Sequence, residues 1–240
     1  MPEFFNSIVI EHLSRLFEKS EEAKNSNYLS YLSVGYIKTI HREALFNWVL
    51  DLSPSLNFSV STGLLACTYI DRFLSIKPDF QISVFELLGI SSLSLAIKFT
   101  EGKTITPHAI HKLLDSRYSI DAIVTIELYI LKILDWNLSM VSPCELIDTI
   151  INFSLDHPCI GKIIDACHSF AVFCYLDPEI AVNGNCSLAF ASIMLALDRL
   201  GYKEFRNNWI LSLEKTFMLD TEKLDVVVSR VQKKFEVFNN

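Results

Sequence analysis

The sequence predicts an all-α protein in which two tandem five-helix repeats follow an N-terminal helix. Helix breakers are rare, since the 240 residues include only 7 Gly and 7 Pro. Hydrophobic residues make up 50% of the chain and include 17 Phe, which allows a large core and disfavours intrinsic disorder. Two uncharged segments in corresponding positions also share one apolar pattern. We assign 1–39 to the N-terminal helix and its lead-in, 40–140 to the first repeat and 141–240 to a divergent second repeat.

The N-terminal helix is predicted over 4–17, where apolar residues recur at helical spacing. These residues are Phe5, Ile8, Val9, Leu13 and Leu16. Five more helices are predicted between 40 and 136 because capping residues and prolines bound each one. Their boundary signals are Pro54, Pro78, Thr106-Pro107 and Ser119.

The third of these five helices is the predicted centre of the first repeat. Ser83 and Glu86 have the spacing of a capping box at its start. Residues 87–97 then carry no charge and are apolar on nearly every side of a helix, so we expect them to be buried all round. This run is shorter than the roughly 20 residues that span a bilayer.

The second repeat is predicted from a similar succession of signals. A capping box, Ser142-Pro143-Cys144-Glu145, opens it, and four further helices follow. The predicted ranges of those helices are 158–176, 186–200, 207–217 and 221–238. Residues 187–197 align without gaps to 87–97, but Asp198 then stands where the first repeat has Lys98. The repeats are therefore alike in core and different in surface chemistry.

Charge and cysteine content limit the classes of function. The net charge is −7 and the longest basic run is Lys233-Lys234, which argues against nucleic-acid binding through phosphate contacts. The six Cys show no C-x-x-C spacing and indicate buried free thiols in a reducing compartment. The N-terminal residues show no secretory signal. We expect a soluble intracellular protein without a transmembrane segment.

Three charged residues lie on helix faces that the pattern makes apolar: Arg42, Asp71 and Glu127. A carboxylate buried without a partner is costly or stays protonated, so Glu127 requires a cation or several donors. Lys98, at the end of the central helix, is the expected partner. Arg42 and Asp71 lie on inward faces of consecutive helices, which predicts an internal ion pair.

These residues belong to segments that resemble the cyclin family. The segments are HREALFNWVLDL (41–52), LLACTYIDRFLS (64–75), LLGISSLSLAIKFTE (87–101) and IELYILKILDWNL (126–138). Their order and spacing are similar to the four helical signatures of the cyclin box, and the resemblance implies two five-helix cyclin boxes. Five key positions of the family pattern are matched, by Arg42, Asp71, Leu87, Lys98 and Glu127.

The resemblance implies a non-catalytic regulatory subunit that requires no cofactor or metal. In cyclins the Arg–Asp pair is internal, and the Lys and Glu bind a cyclin-dependent Ser/Thr protein kinase beside its mobile C helix, which helps to order the activation segment. Here Lys98 and Glu127 would hold kinase backbone groups, with Phe99 and Glu101 nearby. The implied role is control of cell-cycle progression in the nucleus or cytoplasm, and residues 135–138 are similar to G1 or D-type cyclins.

Many cyclins also carry an apolar patch that recruits kinase substrates or inhibitors. The resemblance places a candidate substrate-docking patch at Leu45, Trp48, Asp51, Phe85 and Glu86. The match is incomplete, because His41 and Ala44 remove apolar bulk from the family's pattern.

Other interpretations stay open at this point. The chain could be a cyclin-fold adaptor, or a transcription-associated protein-binding module that does not activate a cell-cycle kinase. Transcription-factor relatives of cyclins bind DNA through a basic surface, which a charge of −7 disfavours. Two groups have metal-ligand spacing: His108, His111 and Asp115, and Cys167, His168 and Cys174. Neither group has a further ligand from elsewhere, so we predict no metal site.

Overall fold

The computed structural model describes residues 7–22, 37–154, 158–217 and 221–238. Within these ranges the chain forms helices and no strand, which confirms the all-α fold class. The helices are α1 (Ser7–Glu22), α2 (Thr39–Ser55), α3 (Val60–Ile76), α4 (Phe85–Thr100), α5 (Pro107–Leu113), α6 (Ile120–Ile133), α7 (Pro143–Ser154), α8 (Ile160–Leu176), α9 (Pro178–Ala181), α10 (Asn185–Arg199), α11 (Lys203–Phe217) and α12 (Thr221–Phe238).

The described residues divide into two compact units. One unit comprises those within 25–140, and the other comprises those within 1–24 and 141–240. Helices α2 to α6 build the first unit, whereas α1 belongs with α7 to α12. The N-terminal helix is thus grouped with the second unit.

Helix α1 packs on α7, α10 and α11. Leu13 is fully buried, and Phe17 contacts the ring of Phe190 at a centroid distance of 5.6 Å. Ile8, which the apolar spacing predicted for the same face, is 76% exposed. Phe5 lies outside the described residues.

Helix α4 is the centre of the first unit and packs on α2, α3 and α6. Residues 87–97 are all buried, as their apolar character on every side predicts. The approach to α2 is close at Gly89, where a Cβ atom would lie 2.7 Å from Leu45 Cδ1 and 3.2 Å from Trp48 Cζ3. A side chain at this position would therefore require Leu45 to shift.

The start of α4 differs from the prediction. Residues Ile82–Val84 form a 3-10 turn, and Val84, not Ser83, occupies the N-cap position without a side-chain bond. The capping box predicted at Ser83 and Glu86 is wrong. At the start of α7, Ser142 Oγ accepts a bond from the Glu145 amide at 3.2 Å, which is one of the two bonds of the predicted box. Ser142 is thus a true helix cap.

In the second unit, α10 has the central position that α4 has in the first. It packs on α7, α8, α11 and α12, and residues 187–197 are all buried. Two details were missed. A one-turn helix, α9, follows α8, capped by Asp177 Oδ1, which accepts a bond from the Glu179 amide at 2.9 Å. Helix α11 also begins at Lys203, earlier than predicted.

A buried ion pair joins α2 to α3. Arg42 Nε donates to Asp71 Oδ1 at 2.9 Å, and Arg42 Nη2 donates to Asp71 Oδ2 at 2.7 Å. The side chains are 0% and 2% exposed, respectively. The guanidinium also lies 4.1 Å from the centre of the Phe46 ring. This two-pronged contact fixes the relative position of the two helices, since only one arrangement satisfies both bonds.

Four of the six cysteines are buried, and Cys159 and Cys186 are half-buried. Burial raises the pKa of Cys167 and Cys174 to about 12, so these thiols stay protonated at neutral pH.

One stretch, Ile82–Thr100, is long and apolar enough to cross a bilayer, but 67% of its apolar window is buried inside the protein. Such burial is typical of the core helix of a soluble protein.

Asp71→Asn is expected to lower the free energy of unfolding by about 3–5 kcal/mol, because it leaves the Arg42 charge buried without its carboxylate. Urea denaturation measures this change. Asp79→Asn, the same substitution at an exposed residue, should change stability by less than about 0.5 kcal/mol. Equal denaturation midpoints for the two variants would contradict the structural role of the pair.

Candidate partner-binding site

The last two turns of α4 and the middle of α6 together form an ion pair at the surface of the first unit. Lys98 Nζ donates to Glu127 Oε1 at 2.5 Å, and Ser94 Oγ donates to the same oxygen at 3.0 Å. The Lys98 side chain is 37% exposed and the Glu127 side chain is 19% exposed. The two residues predicted to be partners are therefore brought together.

The helix periods explain this arrangement. Ser94 and Lys98 are four residues apart on α4, so both side chains face α6. On α6, Glu127 lies beside the buried residues Ile123 and Ile130, at the edge of the packed face. One oxygen of the carboxylate, Oε1, thus accepts bonds from both a buried hydroxyl and a partly solvated ammonium.

This pair is poorly explained as a stability device. Ion pairs that water reaches contribute about 0–1 kcal/mol, whereas the shielded Arg42–Asp71 pair has no access to solvent. Both bonds to Glu127 use Oε1, and an ammonium carries three donors. A donor and an acceptor lie side by side at an accessible position, which suits recognition of backbone groups on another chain.

Phe99 and Glu101, which were grouped with this pair, have different environments. Phe99 is 51% exposed and offers an apolar surface next to Lys98. Glu101 is the C-cap residue of α4 and is bonded within its own unit. Its Oε1 accepts a bond from the Ser59 amide at 3.1 Å and from Thr62 Oγ1 at 3.0 Å.

Glu101 therefore ties the end of α4 to the start of α3, and Thr100 Oγ1 adds a contact to Thr62 Oγ1 at 3.1 Å. The Ser59 amide, and after it the Thr62 hydroxyl, hold the pKa of Glu101 below its usual value. The capping position of Ser59, three residues before Thr62, is the only sequence signal for this cluster. The capping signal at Ser59 does not predict that Glu101 accepts bonds from Ser59 and Thr62.

The candidate substrate-docking residues do not form an apolar surface. Leu45 and Phe85 are only 5% and 6% exposed, and Trp48 is half-buried. Asp51 is exposed, and Glu86 Oε2 lies 2.7 Å from Nη1 of Arg117 in α5–α6 connection. Leu87, another of the five family positions, is 3% exposed and belongs to the core. Substrate docking at this patch stays a prediction, and most of the apolar area it requires is packed inside.

The candidate metal ligands have other partners. His111 Nδ1 lies 2.7 Å from the Tyr118 carbonyl oxygen, and His168 Nε2 lies 2.7 Å from Asp148 Oδ1. In the part of the chain that the structure describes, no group of three or more His, Cys, Asp or Glu side chains could hold a metal ion.

The corresponding end of α10 is chemically different. Asp198, which aligns with Lys98, accepts a bond from Arg206 Nη1 at 2.5 Å. The side chains of Asp198 and Arg206 are 14% and 23% exposed, respectively. The partner comes from α11, the next long helix, whereas Lys98 finds its partner two helices on. The second unit thus has a less exposed ion pair in which the core helix supplies the acid and the neighbouring helix supplies the base.

Comparison with known proteins gives consistent matches. The family model of the cyclin N-terminal domain matches residues 11–139. Cyclin-D3-1 of Arabidopsis thaliana is 28% identical over 197 residues, which is 79% of this chain and 50% of that protein. G1/S-specific cyclin-D1 of Xenopus laevis is 26% identical over 202 residues, which is 81% of this chain and 67% of that protein. This chain therefore spans half to two thirds of the length of these relatives.

Among solved structures, a viral cyclin from herpesvirus saimiri superposes with a TM-score of 0.75 at 16% identity, covering 94% of this chain and 99% of that one. At that identity the likeness shows the fold alone. The D-type relatives and this fold confirm the resemblance drawn from the helical segments.

Glu101→Gln is expected to destabilise the protein at pH 7, with the difference shrinking as the pH falls below about 4. The reason is that a carboxylate whose pKa is lowered by folding adds stability above its unfolded pKa and loses it as the pH falls through the folded pKa. Urea midpoints at several pH values measure the effect. Glu43→Gln at an exposed position of α2 controls for loss of one charge, and a pH-independent difference for Glu101→Gln would contradict the assignment.

Proposed function

The chain belongs to the cyclin family, and we propose that it is a regulatory subunit that binds and activates a cyclin-dependent Ser/Thr protein kinase to control cell-cycle progression. The observation that carries this proposal is the half-exposed Lys98–Glu127 pair at the end of the buried core helix. Two of the relatives are D-type cyclins, one of them named G1/S-specific, which supports the cell-cycle setting.

The geometry suits docking to the mobile C helix of a kinase. Lys98 can donate to carbonyl groups and Glu127 can accept from amide groups of the kinase backbone, so that recognition does not depend on the kinase side chains at that point. Phe99 would supply the adjacent apolar contact, since interfaces combine an apolar core with a few oriented polar bonds. In this proposal Glu101 acts as a positioning residue, because its bonds to α3 hold the last turn of α4 in place.

The mechanism is allosteric. Binding beside the C helix would favour the kinase conformation in which its Lys–Glu ion pair and its metal-binding Asp are aligned with ATP, and would order the activation segment. A rigid docking surface is important here, because a ligand shifts a conformational equilibrium only by its difference in affinity for the two states. The chain itself contributes no catalytic group in this scheme, and it would act in the nucleus or cytoplasm with its kinase.

The double variant Lys98→Ala/Glu127→Ala is expected to reduce kinase co-purification at least tenfold while the protein stays folded. Removal of an accessible ion pair changes stability by about 0–1 kcal/mol, so the melting curve should shift little. Affinity capture with mass spectrometry identifies the kinase, and histone phosphorylation by the captured complex distinguishes an activator from an adaptor.

The matched control for this test is Arg117→Ala/Glu86→Ala, which removes another exposed ion pair of the same unit. It should retain the kinase. Unchanged kinase binding by the folded Lys98→Ala/Glu127→Ala variant would contradict the proposed function.

A further inference from the structure

The chain has three positions at which a hydroxyl residue precedes proline: Ser53-Pro54, Thr106-Pro107 and Ser142-Pro143. Two of these hydroxyl residues are enclosed. Ser53 is 0% exposed and donates to the Ser59 carbonyl oxygen, and Ser142 is 2% exposed and caps α7. Thr106 is exposed. Only one of the three hydroxyls is therefore accessible to an enzyme.

Thr106 also lies in a segment of suitable conformation. Residues 103–106 form no helix and join α4 to α5, and the Thr106 backbone is extended, with φ −69° and ψ 149°. The side chains of Lys103 and Thr104 point away from the core, as their exposure shows, while Ile105 anchors the segment with only 9% of its surface exposed. Thr106 Oγ1 accepts a bond from the Ala109 amide at 3.2 Å, and Pro107 is the first residue of α5. Entry of Thr106 and Pro107 into a kinase cleft therefore requires the first turn of this seven-residue helix to open.

We propose that Thr106 is a phosphorylation site for a Ser/Thr kinase that selects proline directly after the acceptor. In the transfer, Thr106 Oγ1 forms a bond to the γ-phosphorus of ATP, the bond from that phosphorus to the β–γ bridging oxygen breaks, and ADP leaves. The hydroxyl proton passes to the carboxylate base of the kinase. This proposal does not depend on the proposed function.

The chemical consequence is a local gain of negative charge. The phosphate brings about −1.5 to −2 charges at neutral pH. The connection between α4 and α5 carries two charged residues, Glu101 and Lys103, and the Lys103 ammonium lies 5.6 Å from the centre of the Phe58 ring. The modified residue would lie five positions after Glu101, which holds the end of α4 against α3. Modification would thus change the electrostatic surface immediately beyond the candidate partner-binding site.

The test treats the full chain with a purified proline-directed kinase of the mitogen-activated class, ATP and Mg²⁺. A synthetic peptide of residues 100–112 is treated in parallel. Intact mass and fragmentation are expected to show one phosphate, on Thr106, in both substrates. Thr106→Ala should abolish the modification and Thr106→Ser should retain it.

Two further variants separate the proposed specificity from simple exposure. Pro107→Ala keeps the acceptor and should be modified at least tenfold more slowly, whereas Thr104→Ala should be modified at the normal rate. Circular dichroism verifies that each variant is folded. The proposal is overturned if the peptide is modified and the full chain is not, if neither is modified, or if the phosphate is found on another residue.

Discussion

The buried ion pair between Arg42 and Asp71 is the constraint on which the first unit depends. It joins α2 to α3 through two bonds from which water is excluded, and such bonds tolerate little displacement. Helix α4 packs on both of these helices, and at Gly89 it approaches α2 so closely that even a Cβ atom would displace Leu45. A shift of α2 against α3 would therefore disturb the packing of the core helix α4 on both of them.

The packing of α2, α3 and α4 also fixes the geometry of the candidate partner-binding site. Lys98 lies in the last turn of the core helix, and Thr100 and Glu101 at the end of that helix are bonded to Ser59 and Thr62 at the start of α3. On the other side Ser94 holds the Glu127 carboxylate. The accessible ion pair is thus supported at both of its members by polar groups within the unit. Preorganisation of this kind reduces the ordering entropy that binding a partner requires.

Most of the helical architecture could be predicted because it follows from patterns within single segments. Burial of 87–97 and 187–197 follows from apolar side chains on every face, and the partnership of Lys98 with Glu127 follows from a charge on a packed face. The failure at Ser83 has a local cause. Residues Ile82–Val84 form a 3-10 turn, and the Ser83 carbonyl oxygen accepts a bond from the Tyr118 hydroxyl, so tertiary contacts determine how α4 begins.

Other features depend on contacts between residues that are distant in sequence, so no local sequence pattern predicts them. Ser59 and Glu101 are 42 positions apart, so the capping bond between them becomes visible only in three dimensions. The burial of Leu45 and Phe85 similarly depends on how closely α2 and α4 approach, which a resemblance to a family motif does not specify. The four-residue helix α9 is too short to produce a periodic signal.

The two core helices provide an internal comparison for the central claim that Lys98 and Glu127 form the kinase-binding surface. Hydrogen exchange of the full chain, alone and with the co-purified kinase, tests it most directly. We predict slower exchange with kinase at 98–101 and in the middle of α6, and unchanged exchange at 198–201, where the inverted Asp198–Arg206 pair stands. A complex that forms with no protection at 98–101, or with protection at 198–201 instead, would contradict the account.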